Sequence, residues 1–255
     1  QIGENLPRAE AVINPHREDN EIEFRDFAGV GVAFKLACAL YDGDVEDLLE
    51  DYADYVTIGT IGDMVPLLNE NRAIVKSGLK LINTDAKIGI SALKKSTNSK
   101  AEHFSATDVA FQICPRINAA GRMDTANLAV DLLTCEDNEI AEYKAEQLNL
   151  ENTHRHEVEE KIDKDIAEIM ANDRAYQTDR VIVVAGHNYH KGVIGICAAH
   201  LVELYSKPAI VIGIDDEGNA TGSARSIDGF NIFEAISNCS DILTHFGGHP
   251  LAAGM

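Results

Sequence analysis

The sequence predicts an α/β protein built as two α/β lobes joined by one long helix. Three observations carry that expectation. Two β-branched runs, 181–185 and 209–214, flank a helical stretch over 193–205, which makes a parallel βαβ unit. Residues 136 to about 172 are almost entirely helix-forming, and Val158, Ile162, Ile166 and Ile169 set one apolar stripe along them. A chain of 255 residues, at roughly 150 per domain, suits one large domain or two ordinary ones. The boundary is expected at the end of the long helix, near residue 172.

Taken in order, residues 9–14 (AEAVIN) read as a buried strand closed by the Asn14-Pro15 turn. Val30, Phe34, Ala37 and Leu40 then fall at helical spacing, in a helix opened by Gly29 and Gly31. The GVGVAF stretch lacks the third glycine of a dinucleotide fingerprint and follows a loop, so close helix packing is its expected use. Residues 55–58 read as a short buried strand running into a Gly-Thr-Ile-Gly-Asp turn. Helices are expected over 71–82 and 88–95, followed by a polar loop. Another should start at a Thr107 cap and stop near Ile113, broken by Pro115, with a short amphipathic helix over 126–133. Beyond the βαβ unit come a glycine-rich strand (221–226), a short helix (230–237) and a Gly-His-Pro loop.

Composition bounds the function. Forty-two acidic residues against 22 basic give a net charge of −20, which argues at first sight against a polyanionic partner. The distribution softens that reading. Residues 136–173 hold thirteen acidic and four basic residues, whereas those after 177 carry eight and four. A solvated acidic helix is compatible with a basic groove elsewhere. The five cysteines are odd in number, scattered and without a CxxC pair. That pattern predicts free thiols in the cytoplasm and argues against a disulfide framework or a zinc ribbon. No apolar run reaches the ~18 residues of a membrane span, and no secretory signal opens the chain. No GxSxG, HExxH or P-loop motif supports a serine hydrolase, zincin or NTPase.

Four clusters could carry chemistry. Asp63 follows an apolar run between glycines and a proline; it reads either as a turn or N-cap aspartate or as an oxygen ligand for a hard divalent cation. CPRINAAGRMD (114–124) reads as a polar loop: Arg116 and Arg122 suit phosphate, Asn118 suits backbone or ligand, and Gly121 allows close approach. The alternative is a pair of surface arginines. In TGSARS (221–226), Ser223 and Arg225 either line an anion pocket or belong to a packed strand with one exposed arginine. HFGGHPLAAGM offers Gly247 and Gly248 as bare backbone and His249 as a phosphate donor or base partner, against a structural histidine. His190, before Lys191-Gly192, is placed to cap the 193–205 helix, whose N-terminus favours anions.

Seven segments in this order resemble the RecJ family of single-stranded-DNA 5′→3′ exonucleases, of the DHH phosphoesterase superfamily. They are LPRAEAVINPH, FAGVGVAFKLACAL, TIGTIGDMVPLLNENR, PRINAAGRMDTANLAVDLL, GHNYHKGVIGICAAHLVE, GSARSIDGFNIFEAI and GGHPLAAGM. The resemblance implies the C-terminal part of a DHH domain over 1–135, a connecting helix over 136–172 and a DHH-associated, substrate-binding domain over 173–255. It implies a middle fragment that starts just after the Asp-His-His triplet, and so little or no activity for this piece alone.

The same resemblance implies roles. Asp63 matches a catalytic aspartate that helps hold a two-metal Mn²⁺ or Mg²⁺ centre, most of whose ligands lie upstream. Arg122, Ser223 and Arg225, and less closely Arg116, match a pocket for the terminal 5′ phosphate, and Asn118 is grouped with them as a substrate-binding candidate. Gly247, Gly248 and His249 match a substrate-binding signature. The implied activity is release of mononucleotides from the 5′ end of single-stranded DNA in repair and recombination, with single-strand-binding protein and a helicase as candidate partners. The alternatives are a DHH phosphodiesterase of short oligonucleotides or cyclic dinucleotides, and a non-catalytic single-strand-binding relative.

Overall fold

The computed structural model describes residues 7–123 and 126–255. Leu6 of the LPRAEAVINPH segment and Asp124 of the CPRINAAGRMD segment lie outside them. The chain divides into two compact units, one of residues 1–120 and 126–149, the other of residues 121–125 and 150–255. The α/β class is observed, with every strand of the described residues in the second unit.

All regular secondary structure among the first unit's described residues is helical, starting at Gly29. Its helices are α1 (Gly29–Leu40), α2 (Val45–Gly62), α3 (Asn69–Thr84), α4 (Ile88–Ser96), α5 (Ala106–Asp108), α6 (Cys114–Met123, whose last three residues belong to the second unit) and α7 (Asn127–Leu133). Asp44 caps α2 by accepting from the Glu46 amide at 3.1 Å, and Glu46 and Asp47 sit favourably on its positive end. The 55–58 strand expectation is therefore wrong: these residues lie inside α2. The helix packs against α1, α3 and the segment before α6, so Val56, Thr57, Ile58, Thr60 and Ile61 are all buried. Burial on every side removes the amphipathic period, and the run then looks like a buried strand. Residues 9–14 form no strand either. They are exposed or half-buried and pair with no other strand, although the turn at Asn14 is present, with its side chain accepting from the His16 amide at 2.9 Å.

Pro115 does not end its helix. Ser105, not Thr107, is the cap, in a reciprocal capping box with Asp108. A π-helical turn over Val109–Ile113 then leads directly into α6. Proline lacks the N–H that would close an ordinary turn, and the wider turn accommodates its ring within a continuous run. The 114–124 segment is consequently helix as far as Met123, not loop.

Asp54 of α2 is fully buried, and both its oxygens accept from Lys87 Nζ at 3.0 Å. Removing one partner of a buried pair leaves an uncompensated charge. Lys87 is one-third exposed, so solvent screening reduces the cost. Lys87→Met is expected to lower the stability of this unit by about 2 kcal/mol, measured by urea unfolding.

Helix α8 (Asn138–Asn172) is the long helix the sequence predicts. Ala141, Ala145 and Leu148 enter the first unit's core, and Ile162, Ile166 and Met170 enter the second's. A short helix α9 (Ala175–Thr178) leads to β1 (Ile182–His187), α10 (Ile194–Tyr205) and β2 (Ala209–Ile214), with β1 and β2 parallel as expected. Then follow β3 (Ala220–Arg225), α11 (Ile232–Ser237), β4 (Gly247–His249) and β5 (Ala252–Gly254). The sheet order is β1-β2-β3-β5-β4, antiparallel after the first pair. The expected Gly-His-Pro loop is thus a hairpin. Its first strand carries Gly247, Gly248 and His249; a Cβ on Gly248 would lie 2.4 Å from the Ala252 carbonyl oxygen of the other strand.

Candidate phosphate-binding site

Strand β3 presents Ser223 and Arg225 two residues apart, hence on one face of the sheet. Arg225 Nη1 donates to Ser223 Oγ at 3.1 Å and to the Ala224 carbonyl at 2.8 Å. Helix α10 approaches this face at Gly195, where a Cβ would stand 2.9 Å from both Arg225 Nη2 and Ser223 Oγ. The register adds the hairpin: Arg225 pairs with Ala252, and Ala252 with His249. Directly opposed residues share a face, so exposed His249 lies two strands from Arg225 with only a methyl group between them. In the neighbouring row, Ser223 is followed by Gly254 and Gly247, which leaves the backbone bare.

Arg122 joins this group from the end of α6. Its Nη1 donates to the Gly192 carbonyl at 3.2 Å, and a Cβ on Gly192 would lie 2.1 Å from the Arg122 carbonyl oxygen. The loop is shaped for that approach. His190 Nδ1 accepts from the Gly192 amide at 3.2 Å, and its carbonyl accepts from the Val193 and Ile194 amides, so it organises the start of α10 as the sequence suggests. Burial pushes the Arg225 guanidinium below the usual arginine range, and the Arg122 charge pushes it the same way. Burial and the Arg155 charge do the same to Arg122, with Glu159 opposing. Neighbouring cations that repel one another are relieved by an anion, and guanidinium forks match phosphate oxygens.

Sequence reading missed Arg155, hidden in the acidic run of α8. It is buried, pairs with Glu159 at 2.5 Å, and its Nε is a buried donor with no partner among the described residues. Such an orphan in a cationic group suits a ligand oxygen or a water. Gly192 and Gly195 were missed too, because only the fold reveals what a glycine must let past.

Other expected residues go elsewhere. Arg116 belongs to the first unit, where Nε donates to Asn149 Oδ1 at 2.9 Å and Nη1 to the Gln112 carbonyl at 2.6 Å. Those contacts hold it in the helical framework. Asn118 and Asp63 line one cavity of about 220 Å³ with Ile58, Gly62 and Cys114. Asp63 does not stand at a strand end; it is the C-cap of α2, its amide donating to the Gly59 carbonyl at 3.0 Å. Its exposed carboxylate has no partner among the described residues, and the negative end of the helix adds to its attraction for a cation.

Residues 178–255 match the family model of the DHHA1 domain. The chain is 44% identical over 254 residues, 99% of its length, to the single-stranded-DNA-specific exonuclease RecJ of Bacillus subtilis (strain 168). The chain thus resembles RecJ along nearly its whole length. RecJ of Escherichia coli (strain K12) is 33% identical over 271 residues. The chain spans 32% of the Bacillus relative and 47% of the Escherichia one. Among solved structures, RecJ from Thermus thermophilus in complex with Mg²⁺ matches 92% of the chain, and 36% of its own length is covered, with a TM-score of 0.78 at 33% identity. An exonuclease RecJ bound to manganese matches 100%, and 62% of its own length is covered, at 0.80 and 31%.

A divalent-metal centre fits these residues only in part. Hard cations take about six oxygen ligands. Asp63 offers one free carboxylate, and among the described residues it belongs to no group of three or more His, Cys, Asp or Glu side chains close enough to share an ion.

Proposed function

We propose that this chain supplies the strand-end recognition of a divalent-metal-dependent exonuclease that removes mononucleotides from the 5′ end of single-stranded DNA. The observation that carries the proposal is the meeting of Arg122, Ser223 and Arg225 around one face, with buried Arg155 behind them. A terminal phosphate carries more charge than an internal diester, so forks crowded by their own repulsion select strand ends. His249 and the bare Gly247–Gly254 row lie where the following nucleotide would pass, touching backbone more than base edges. Asp63 would serve as one ligand of an Mn²⁺ or Mg²⁺ centre, which supplies an activated water and stabilises the leaving oxygen.

In this reading, residues 1–135 are the C-terminal part of a DHH domain, 136–172 a connecting helix and 173–255 the DHH-associated domain. The protein works in the cytoplasm, where its five free thiols stay reduced. Single-strand-binding protein and a helicase are the partners that would present such ends.

Fluorescence anisotropy on the 255-residue chain tests the pocket. Arg225→Ala should weaken binding of a 5′-phosphorylated oligonucleotide by roughly 10- to 100-fold, the effect of losing a hydrogen bond to a charged group. Binding of the 5′-hydroxyl strand should change by less than about threefold, since it lacks that group. Equal losses on both strands would return Arg225 to general electrostatics.

A further inference from the structure

Beyond the phosphate-facing residues, α8 and α10 bring together a second set of ligating groups, which shares Glu159 with the Arg155 pair. Glu159 and Asp163, one turn apart on α8, face His200 of α10, and one ligand atom from each lies within 4.8 Å of the other two. We infer that this cluster is a zinc-type transition-metal site, with His200 Nε2 and Glu159 Oε1 as direct ligands and Asp163 orienting the imidazole.

The distances discriminate between a metal site and simple ion pairing. His200 Nδ1 stands 2.8 Å from Asp163 Oδ2, a hydrogen bond. His200 Nε2 stands 3.6 Å from Glu159 Oε1, too long for one. Two ligands at ordinary Zn–N and Zn–O lengths in a tetrahedron lie about 3.3–3.5 Å apart, so that gap has the span of one bound ion. The Asp163 contact on the far nitrogen is the arrangement that fixes the tautomer and raises the basicity of a metal-bound histidine. Arg155 holds the other Glu159 oxygen at 2.5 Å, which aims Oε1 at the ring.

An imidazole nitrogen beside carboxylate oxygens suits zinc or cobalt over magnesium. An adjoining cavity of about 310 Å³, lined by Asp163, His200, Leu201 and Leu204 among others, leaves open space beside the imidazole. Both helices are packed into the second unit's core, so the donors need little reorganisation.

The test is zinc binding by the chelator-stripped 255-residue chain, followed by calorimetry and thermal unfolding. One equivalent of Zn²⁺ should bind, and a hundredfold excess over Kd should raise the Tm of the second unit by about 5–10 °C. Co²⁺ should give a visible ligand-field spectrum in the same stoichiometry. His200→Ala should abolish binding. His200→Arg should also abolish it, while keeping a cation between the two carboxylates and hence the fold, judged by circular dichroism. Asp63→Ala should leave it unchanged, which separates this site from the proposed catalytic centre. Absence of zinc binding, or binding that survives in both His200 variants, would overturn the proposal and leave an ion-paired histidine.

Discussion

Asp63→Ala should reduce Mn²⁺-dependent release of mononucleotides by more than about a hundredfold, measured in a chimaera where this chain replaces the matching region of the Bacillus subtilis RecJ. Loss of a residue that merely supports a metal ligand costs roughly 10- to 100-fold, and loss of a ligand itself should exceed that. The structural basis is specific. Asp63 closes α2, exposed and unpaired among the described residues, at the helix end whose carbonyls attract cations. Because no partner depends on that carboxylate, the substitution should leave the fold intact, and circular dichroism and Tm should match the parent. Near-normal turnover would make Asp63 a capping residue alone. Excess Mn²⁺ that restores part of the rate would place the loss in metal affinity.

Gly78→Ala should destabilise the first unit by about 3 kcal/mol or more, lowering its Tm by roughly 6–12 °C. Helix α3 meets α2 at this residue. A Cβ there would lie 2.1 Å from both the Ala53 carbonyl oxygen and Thr57 Oγ1, and the first of these is backbone that cannot rotate away. The helices would have to separate, loosening Val75 and Ile82 of α3 from Ile58 of α2. Gly29→Ala is the control. A Cβ at that position meets nothing within 4 Å, so the change should stay below about 1 kcal/mol. A Gly78 variant as stable as the Gly29 one would mean that the helix contact is looser than its geometry indicates.

Much of the second unit was legible in the sequence. The 209–214 strand appears with the same limits, and the 193–205 helix begins one residue later, because β-branched runs and a clean helical stretch are local signals. The long helix was legible for the same reason: its apolar stripe repeats beside solvated acidic faces. The first unit was harder to read. Residues 55–58 carry the same apolar run whether they form a buried strand or the core of a helix touched on three sides, and only the neighbours decide. Pro115 followed the usual rule for a helix breaker, which a π-helical turn circumvents. The 114–124 segment looked like a loop because glycine, proline and asparagine are common in loops, yet here they continue a helix.

The candidate site divides along the same physical line. Sequence by itself determined which residues carry charge and which are small: Arg122, Ser223, Arg225, His249 and the glycines around them. It also determined the parallel βαβ unit and the long helix, since both follow from periodicity within a few turns of chain. Tertiary structure alone decided which of those charges meet. Arg122 reaches Gly192 across seventy residues of chain, Arg155 joins it from an acidic helix, and Arg116 is turned into the other unit's framework. The register of β3, β5 and β4 alone placed His249 on the face of Arg225. Local propensity acts over neighbouring residues, whereas Coulomb interactions and steric exclusion act between atoms that only the packed core brings close.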